Sequence, residues 1–188
     1  MNSQLENTNV YWALVSASFF DNRSFYIGAT DKGLCRVMWP DDTFEELKDW
    51  ITSNIKNPIL IEDPKRINIY VEQIQEYLQG ERRSFDIPLD MFGTEFRIKV
   101  WRALIDIPFG HTLSYADIAN AIGNPKAVRA VGTANGANPI PIVVPCHRVI
   151  GKNKTLTGFG GGLTNKKKLL QLEGYHDYID RGHARYQF

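Results

Sequence analysis

The sequence predicts an α+β chain in two parts: a small sheet with helices, then a helical part built around a helix-turn-helix. Three observations carry this. Residues 10–39 hold β-branched and aromatic runs broken by turn signals. Residues 44–79 switch to helical spacing. Beyond "FDIPLDMFGT", a stretch punctuated by Pro88 and Gly93, two short helical patterns flank a glycine turn.

The strands come first. "VYWALVSASF", "SFYIGAT" and "GLCRVMW" are separated by Asp21–Asn22 and Asp31–Lys32–Gly33, where Gly33 can take the positive φ of a tight hairpin. Phe44, Leu47, Trp50, Ile51 and Ile55 then form a helical stripe behind an Asp/Thr cap, and Asn57–Pro58 ends it. "KRINIYVEQIQEYLQG" repeats the pattern and stops at Gly80. Nothing in residues 1–91 looks like chemistry, and Cys35, among Leu34, Val37 and Trp39, reads as a packed thiol.

The second part, residues 92–175, opens with a helix whose apolar face is Phe96, Val100, Trp101 and Leu104. Ser114 caps a short helix from Tyr115 to Ile122, and Gly123–Asn124 turns the chain. Pro125 suits the first turn of a second helix that carries Lys126 and Arg129 and runs toward Gly136. "IPIVV" and "HRVIG" read as short strands around Cys146, "GKNKTLTGFGGG" as a flexible loop, and "TNKKKLLQLEG" as a last helix. Residues 176–188 form a tail without a reading.

Composition narrows the function. No run approaches ~18 apolar residues, so no membrane span is expected, and the N-terminus lacks a secretory pattern. The two cysteines, 111 residues apart, form neither a disulfide framework nor a zinc spacing, which favours a reducing, cytoplasmic setting. Net charge is +1, but residues 1–91 hold nine Lys/Arg against 15 Asp/Glu, while residues 92–175 hold 11 against four. A basic half of this kind suits a polyanion.

The chemistry centres on "NPIPIVVPCHRVIG". Cys146 is either a small core hydrophobe or a thiol activated by its neighbours. His147 could serve as base, although adjacent side chains in a strand point to opposite faces, so a bridging water would be needed. Glu173 is a candidate to orient the imidazole; a helix-end glutamate is otherwise solvated. Ala127, Val128, Ala130 and their small neighbours would let the second helix approach a duplex, or simply pack tightly. Lys166, Lys167 and Lys168 read as a solvated face. "TGFGGG" fails the G-x-G-x-x-G phosphate pattern, because position 163 is Leu, and is a lid or plain flexible chain.

"PCHRVIG", preceded by "GNPKAVRAVGTANGANPIPIVV" and followed by "TGFGGGLTNKKKLLQLEG", resembles the O6-alkylguanine-DNA alkyltransferases, the methylated-DNA–protein-cysteine methyltransferases, in their stand-alone form. The resemblance runs from about Gly93 to Gly174, with the first half as the family's variable domain. It implies an N-terminal three-stranded antiparallel sheet with helices, and a helical, winged-helix-like C-terminal domain. It implies single-turnover repair without a cofactor: Cys146 takes the alkyl group from O6 of guanine, and activity on O4-alkylthymine is left open. His147 would take the thiol proton through a water, and Glu173 would orient it. Tyr115 would help rotate the nucleotide and protonate the departing guanine. Asn138 would brace the helix-turn-helix against the active-site turn. Arg129 would fill the vacated stack, with Tyr115, Lys126, Ala127 and Ala130 also at the DNA, in the minor groove. Pro141, Val149, Phe159 and Gly160 would line the guanine pocket. The expected partner is double-stranded DNA, bound by a monomer.

Departures from the family pattern matter too. No histidine precedes His111 and only Cys35 lies in the first half, so the zinc site of some members is not expected. Gly160 stands where some members have serine, which bears on alkyl size. Two rival readings are a binder that flags alkylated bases without transfer and a helix-turn-helix regulator with a structural thiol. Cys146 argues against the first. The second has no use for His147, Glu173 and Tyr115 together.

Overall fold

The computed structural model describes residues 6–181. The chain divides into two compact units, Met1–Phe92 and Gly93–Phe188.

In the first unit, β1 (Thr8–Ser16) pairs antiparallel with β2 (Ser24–Thr30), which pairs antiparallel with β3 (Gly33–Val37). Gly33 sits at φ +151°, and an added Cβ would clash with the Pro88 carbonyl. Glycine is needed there because Leu34 N–H reaches the same carbonyl at 2.9 Å. α1 (Phe44–Asn54) opens with a reciprocal cap between Thr43 and Glu46 and buries Leu47 and Ile51. α2 (Pro64–Leu78) follows, capped by Asp63. Val10, Cys35, Met38, Leu47, Ile51 and Ile55 share one core, so Cys35 is a packed thiol, pushed up to about 12 by burial.

One element departs from expectation. Asn57 turns at φ +46°, and Pro58–Glu62 forms β4, parallel to β1 with Thr8 opposite Pro58. The sheet is therefore four-stranded and mixed, in the order β3-β2-β1-β4, rather than three-stranded and antiparallel. Proline is tolerated because it is the first residue of an edge strand.

In the second unit, α3 (Glu95–Ile105) buries Val100, Trp101 and Leu104, and Trp101 Nε1 donates to the Ala134 carbonyl at 2.8 Å. That bond fixes α3 against α5 (Val128–Gly136). α4 (Tyr115–Ala121) opens with a Ser114–Asp117 capping box. α5 starts later than expected. Pro125 and Lys126 lie in the turn before it, and Ala127 is its N-cap.

"IPIVV" is not a strand. Residues 140–144 form a buried turn closed by Val144 N–H to the Ile140 carbonyl at 2.9 Å. Pro139, Pro141 and Pro145 have no N–H to give a ladder. Cys146–Arg148 is one turn of 3-10 helix, leading into β6 (Val149–Ile150), which pairs parallel with β5 (Leu113–Ser114). α6 (Gly162–Leu172) begins inside the glycine-rich loop. Residues 175–181 fold back onto the unit: Leu156 N–H bonds the Ile179 carbonyl at 3.0 Å, and Tyr175 and Tyr178 cover Ile150, Leu156 and Leu170. Residues 182–188 of the tail lie outside the described residues. No described helix is long and apolar enough to cross a membrane.

Candidate active site

The turn from Asn138 to Arg148 is built around a conformational cost. Ile142 holds φ +76°, which a β-branched residue rarely adopts and which costs on the order of 1–3 kcal/mol. Asn138 braces it from both sides. Its Nδ2 donates to the Val144 carbonyl at 2.8 Å, and its Oδ1 accepts from Ile140 N–H at 3.0 Å. Asn135, on α5, donates to the Cys146 carbonyl at 3.3 Å. The end of α5 and the cysteine turn are thereby one hydrogen-bonded unit.

Cys146 is 4% exposed. Burial pushes its thiol up to about 11, opposed by a hydrogen bond from Asn138, the positive charge of Lys166 and the N–H groups of Cys146 and His147. That shift favours the protonated thiol near neutral pH. The 3-10 turn removes the strict alternation expected of a strand. His147 is fully buried, and its ring Nε2 lies 2.9 Å from Glu173 Oε1. Burial lowers the imidazole, so it rests neutral. Burial alone would raise the Glu173 carboxyl, but the hydrogen bond from His147 and the guanidinium of Arg148 outweigh it and hold it at about 2. An ionised Glu173 accepts the Nε2 proton, which leaves Nδ1 as the basic nitrogen.

Tyr115 is buried at the start of α4, its hydroxyl 2.7 Å from Thr157 Oγ1. Lys126, Ala127, Arg129 and Ala130 join it along one cleft of about 670 Å³, with Arg129 and Ala130 on the exposed face of α5. Lys152 lines the same cleft; nothing in its loop sequence singles it out. Pro141 and Val149 are buried, Phe159 is half-buried and Gly160 is exposed. A Cβ on Gly160 would meet the Gly136 carbonyl at 3.8 Å, an ordinary contact, so that position has room for a side chain.

The lysine run corrects an expectation. Lys166 is not on a solvated face but fully buried. Its Nζ donates to the Val149 carbonyl at 2.6 Å and lies 5.7 Å from the Phe159 ring centroid. Burial lowers it to about 8. The signal was in the spacing: residues 166, 169, 170 and 173 follow the i, i+3, i+4, i+7 pattern, and all four are buried. Arg148, the cation next to His147 in the motif, is buried as well.

A helix pair whose cleft carries Lys126, Arg129 and Lys152, in the same unit as a buried thiol and a buried His–Glu pair, fits the class of DNA-binding proteins with a reactive cysteine. Comparison with known proteins narrows this. Residues 95–175 match the DNA-binding domain of 6-O-methylguanine DNA methyltransferase, and residues 23–91 match its ribonuclease-like domain. The chain is 48% identical over 164 residues to the inducible methylated-DNA–protein-cysteine methyltransferase of Bacillus subtilis, covering 87% of this chain and 90% of the relative. It superposes on the O6-methylguanine methyltransferase of Mycobacterium tuberculosis with a TM-score of 0.71 at 38% identity, covering 87% of this chain and 92% of that one. The structure of Mycobacterium tuberculosis OGT in complex with DNA gives a TM-score of 0.72 at 38% identity over the same shares. The chain belongs to the methylated-DNA–protein-cysteine methyltransferase family.

Proposed function

We propose that this protein repairs double-stranded DNA by moving an alkyl group from O6 of guanine to Sγ of Cys146, once per molecule. The buried contact between His147 Nε2 and Glu173 Oε1, 2.9 Å, carries the reading. It supports a tautomer with the proton on Nε2 and Nδ1 as the base, beside a thiol that burial holds protonated near neutral pH.

In this reading His147 takes the thiol proton through a water, and Glu173 stabilises the imidazolium. Sγ attacks the alkyl carbon, the carbon–O6 bond breaks, and its electron pair leaves with guanine. Tyr115 supplies the proton that neutralises the base. A thioether does not hydrolyse, so the cycle ends there. Because a duplex hides O6, the nucleotide must leave the stack. In this reading Arg129 fills the gap; its lining of one cleft with Lys126, Ala127 and Ala130 supports this. Asn138 fixes the turn that presents Cys146, while Pro141, Val149, Phe159 and Gly160 form the base pocket. We place the protein in the cytoplasm, where a thiol stays reduced.

Intact mass after incubation with duplex O6-methylguanine DNA tests this. The expected result is a gain of one methyl per chain, absent in Cys146→Ser. The serine variant should still bind DNA. Methyl gain by that variant at the wild-type rate would overturn the assignment of Cys146.

A further inference from the structure

Glu173 does not belong to His147 alone. Arg148 Nε donates to Glu173 Oε1 at 3.1 Å and to Oε2 at 3.0 Å, and Nη2 donates to Oε1 at 2.9 Å. The backbone N–H of Gly110 donates to Oε2 at 3.0 Å. Arg148 is itself anchored, with Nη1 on the Ile107 carbonyl at 2.5 Å and its guanidinium 6.0 Å from the Phe109 ring centroid. It is 6% exposed. A fork of this kind, held at both ends and shielded from water, is far more than a surface ion pair.

We infer that Arg148 is a positioning residue of the transfer: its guanidinium balances the Glu173 carboxylate, so that Glu173 orients His147 without keeping a proton on it. The inference rests on His147 being the base for Cys146. A buried carboxylate beside an imidazole favours the imidazolium, because the opposite charge stabilises it. A histidine already charged cannot take the thiol proton. The charged groups acting on His147 are Glu173 and Lys166, at and near the end of the last helix, and Arg148 from its own turn. Burial, Arg148 and Lys166 disfavour a proton on the ring, and Glu173 pulls one onto it. Arg148 acts on both partners: it repels the imidazolium and occupies the oxygen, Oε1, that His147 also uses.

The test is the pH dependence of single-turnover methyl transfer by the full chain to duplex O6-methylguanine DNA. Arg148→Met should move the acid limb upward by about one pH unit, a loss of roughly tenfold below the limb. Arg148→Lys, which keeps the charge, should hold the limb near its wild-type position. The double variant Arg148→Met/Glu173→Gln removes both charges of a buried pair, the less disruptive change. It should return the limb to the wild-type position or below. A merely structural role would slow all three without moving any limb, and that result overturns the inference. An Arg148→Met protein that fails to fold leaves the wild type to decide, through the nitrogen resonances of the His147 ring. A neutral ring at pH 7 is expected, and a protonated one overturns the inference. His147→Ala separates the two readings. Undiminished transfer by that variant sinks His147 as base. Transfer lost there, with the Arg148→Met limb unmoved, sinks only the role of Arg148.

Discussion

The ammonium of Lys166 donates a 2.6 Å hydrogen bond to the carbonyl of Val149, three residues beyond Cys146, from a position with no solvent exposure. A lysine held this way is unfavourable for the fold, since burial lowers its ammonium to about 8. Its charge does favour the Cys146 thiolate.

Lys166→Met should therefore slow transfer by about tenfold or more, the worth of one unit of thiol acidity. Stability at pH 7 should hold or rise, because the desolvated charge is gone. A base depressed in the folded state is a full penalty below pH 8, relieved as pH rises toward its unfolded value of 10.5. Wild type should gain stability relative to the variant across that window. Denaturant melts at several pH values give the comparison; a variant less stable at pH 7 and equally fast would contradict it.

Tyr115 and Thr157 meet hydroxyl to hydroxyl at 2.7 Å in the interior. Thr157→Val keeps the shape and removes the partner, at a cost of about 1 kcal/mol in stability. If the bond aims the phenol at the departing base, transfer should fall several-fold. Combined with Tyr115→Phe, the losses should be far from additive. Additive losses in the double-mutant cycle would mean that Thr157 acts only through packing.

Much of this was legible in the sequence where local signals decide the outcome. Thr43 and Ser114 announce helix starts because a cap is a short-range bond, and both make it. "PCHR" and a distant Glu173 stand out as candidates in the sequence, but their contact does not, because it joins residues 26 apart. Three prolines and a positive φ at Ile142 turn an apolar run that looks like a strand into a braced turn. β4 escaped because only its pairing with β1, some 50 residues earlier, makes five residues into a strand. The burial of Lys166 and Arg148 escaped for another reason: charge argues for solvent until the partners are known. Their partners are carbonyls and a carboxylate brought by other elements.

Arg129→Ala should slow repair in duplex DNA far more than reaction with free O6-benzylguanine. Arg129 is exposed on α5, at the cleft it shares with Tyr115 and Lys126, so a free base has no stack for it to fill. Single-turnover rates on the two substrates decide it. Equal losses on both would assign Arg129 to the fold or the base pocket.

Acid should dismantle the site in two stages, each with a traceable sign. His147 is depressed by burial, so the folded protein holds it neutral, and stability is lost as pH falls below the unfolded value near 6.5. Glu173 is depressed from 4.5 to about 2, so its contribution is complete above 4.5 and drains away toward pH 2. A shift of that size is on the order of 3 kcal/mol for a group so deeply buried. Glu173→Gln should therefore lower stability at pH 7 and flatten the fall below pH 4.5. It leaves Arg148 as a buried cation without its carboxylate, a costly change in itself. Arg148→Met/Glu173→Gln should recover part of the loss at pH 7 while keeping the flattened acid limb. Urea midpoints between pH 2 and 7 for the three proteins give the answer. A single variant as acid-sensitive as the wild type below pH 4.5 would mean that some other carboxylate governs acid unfolding.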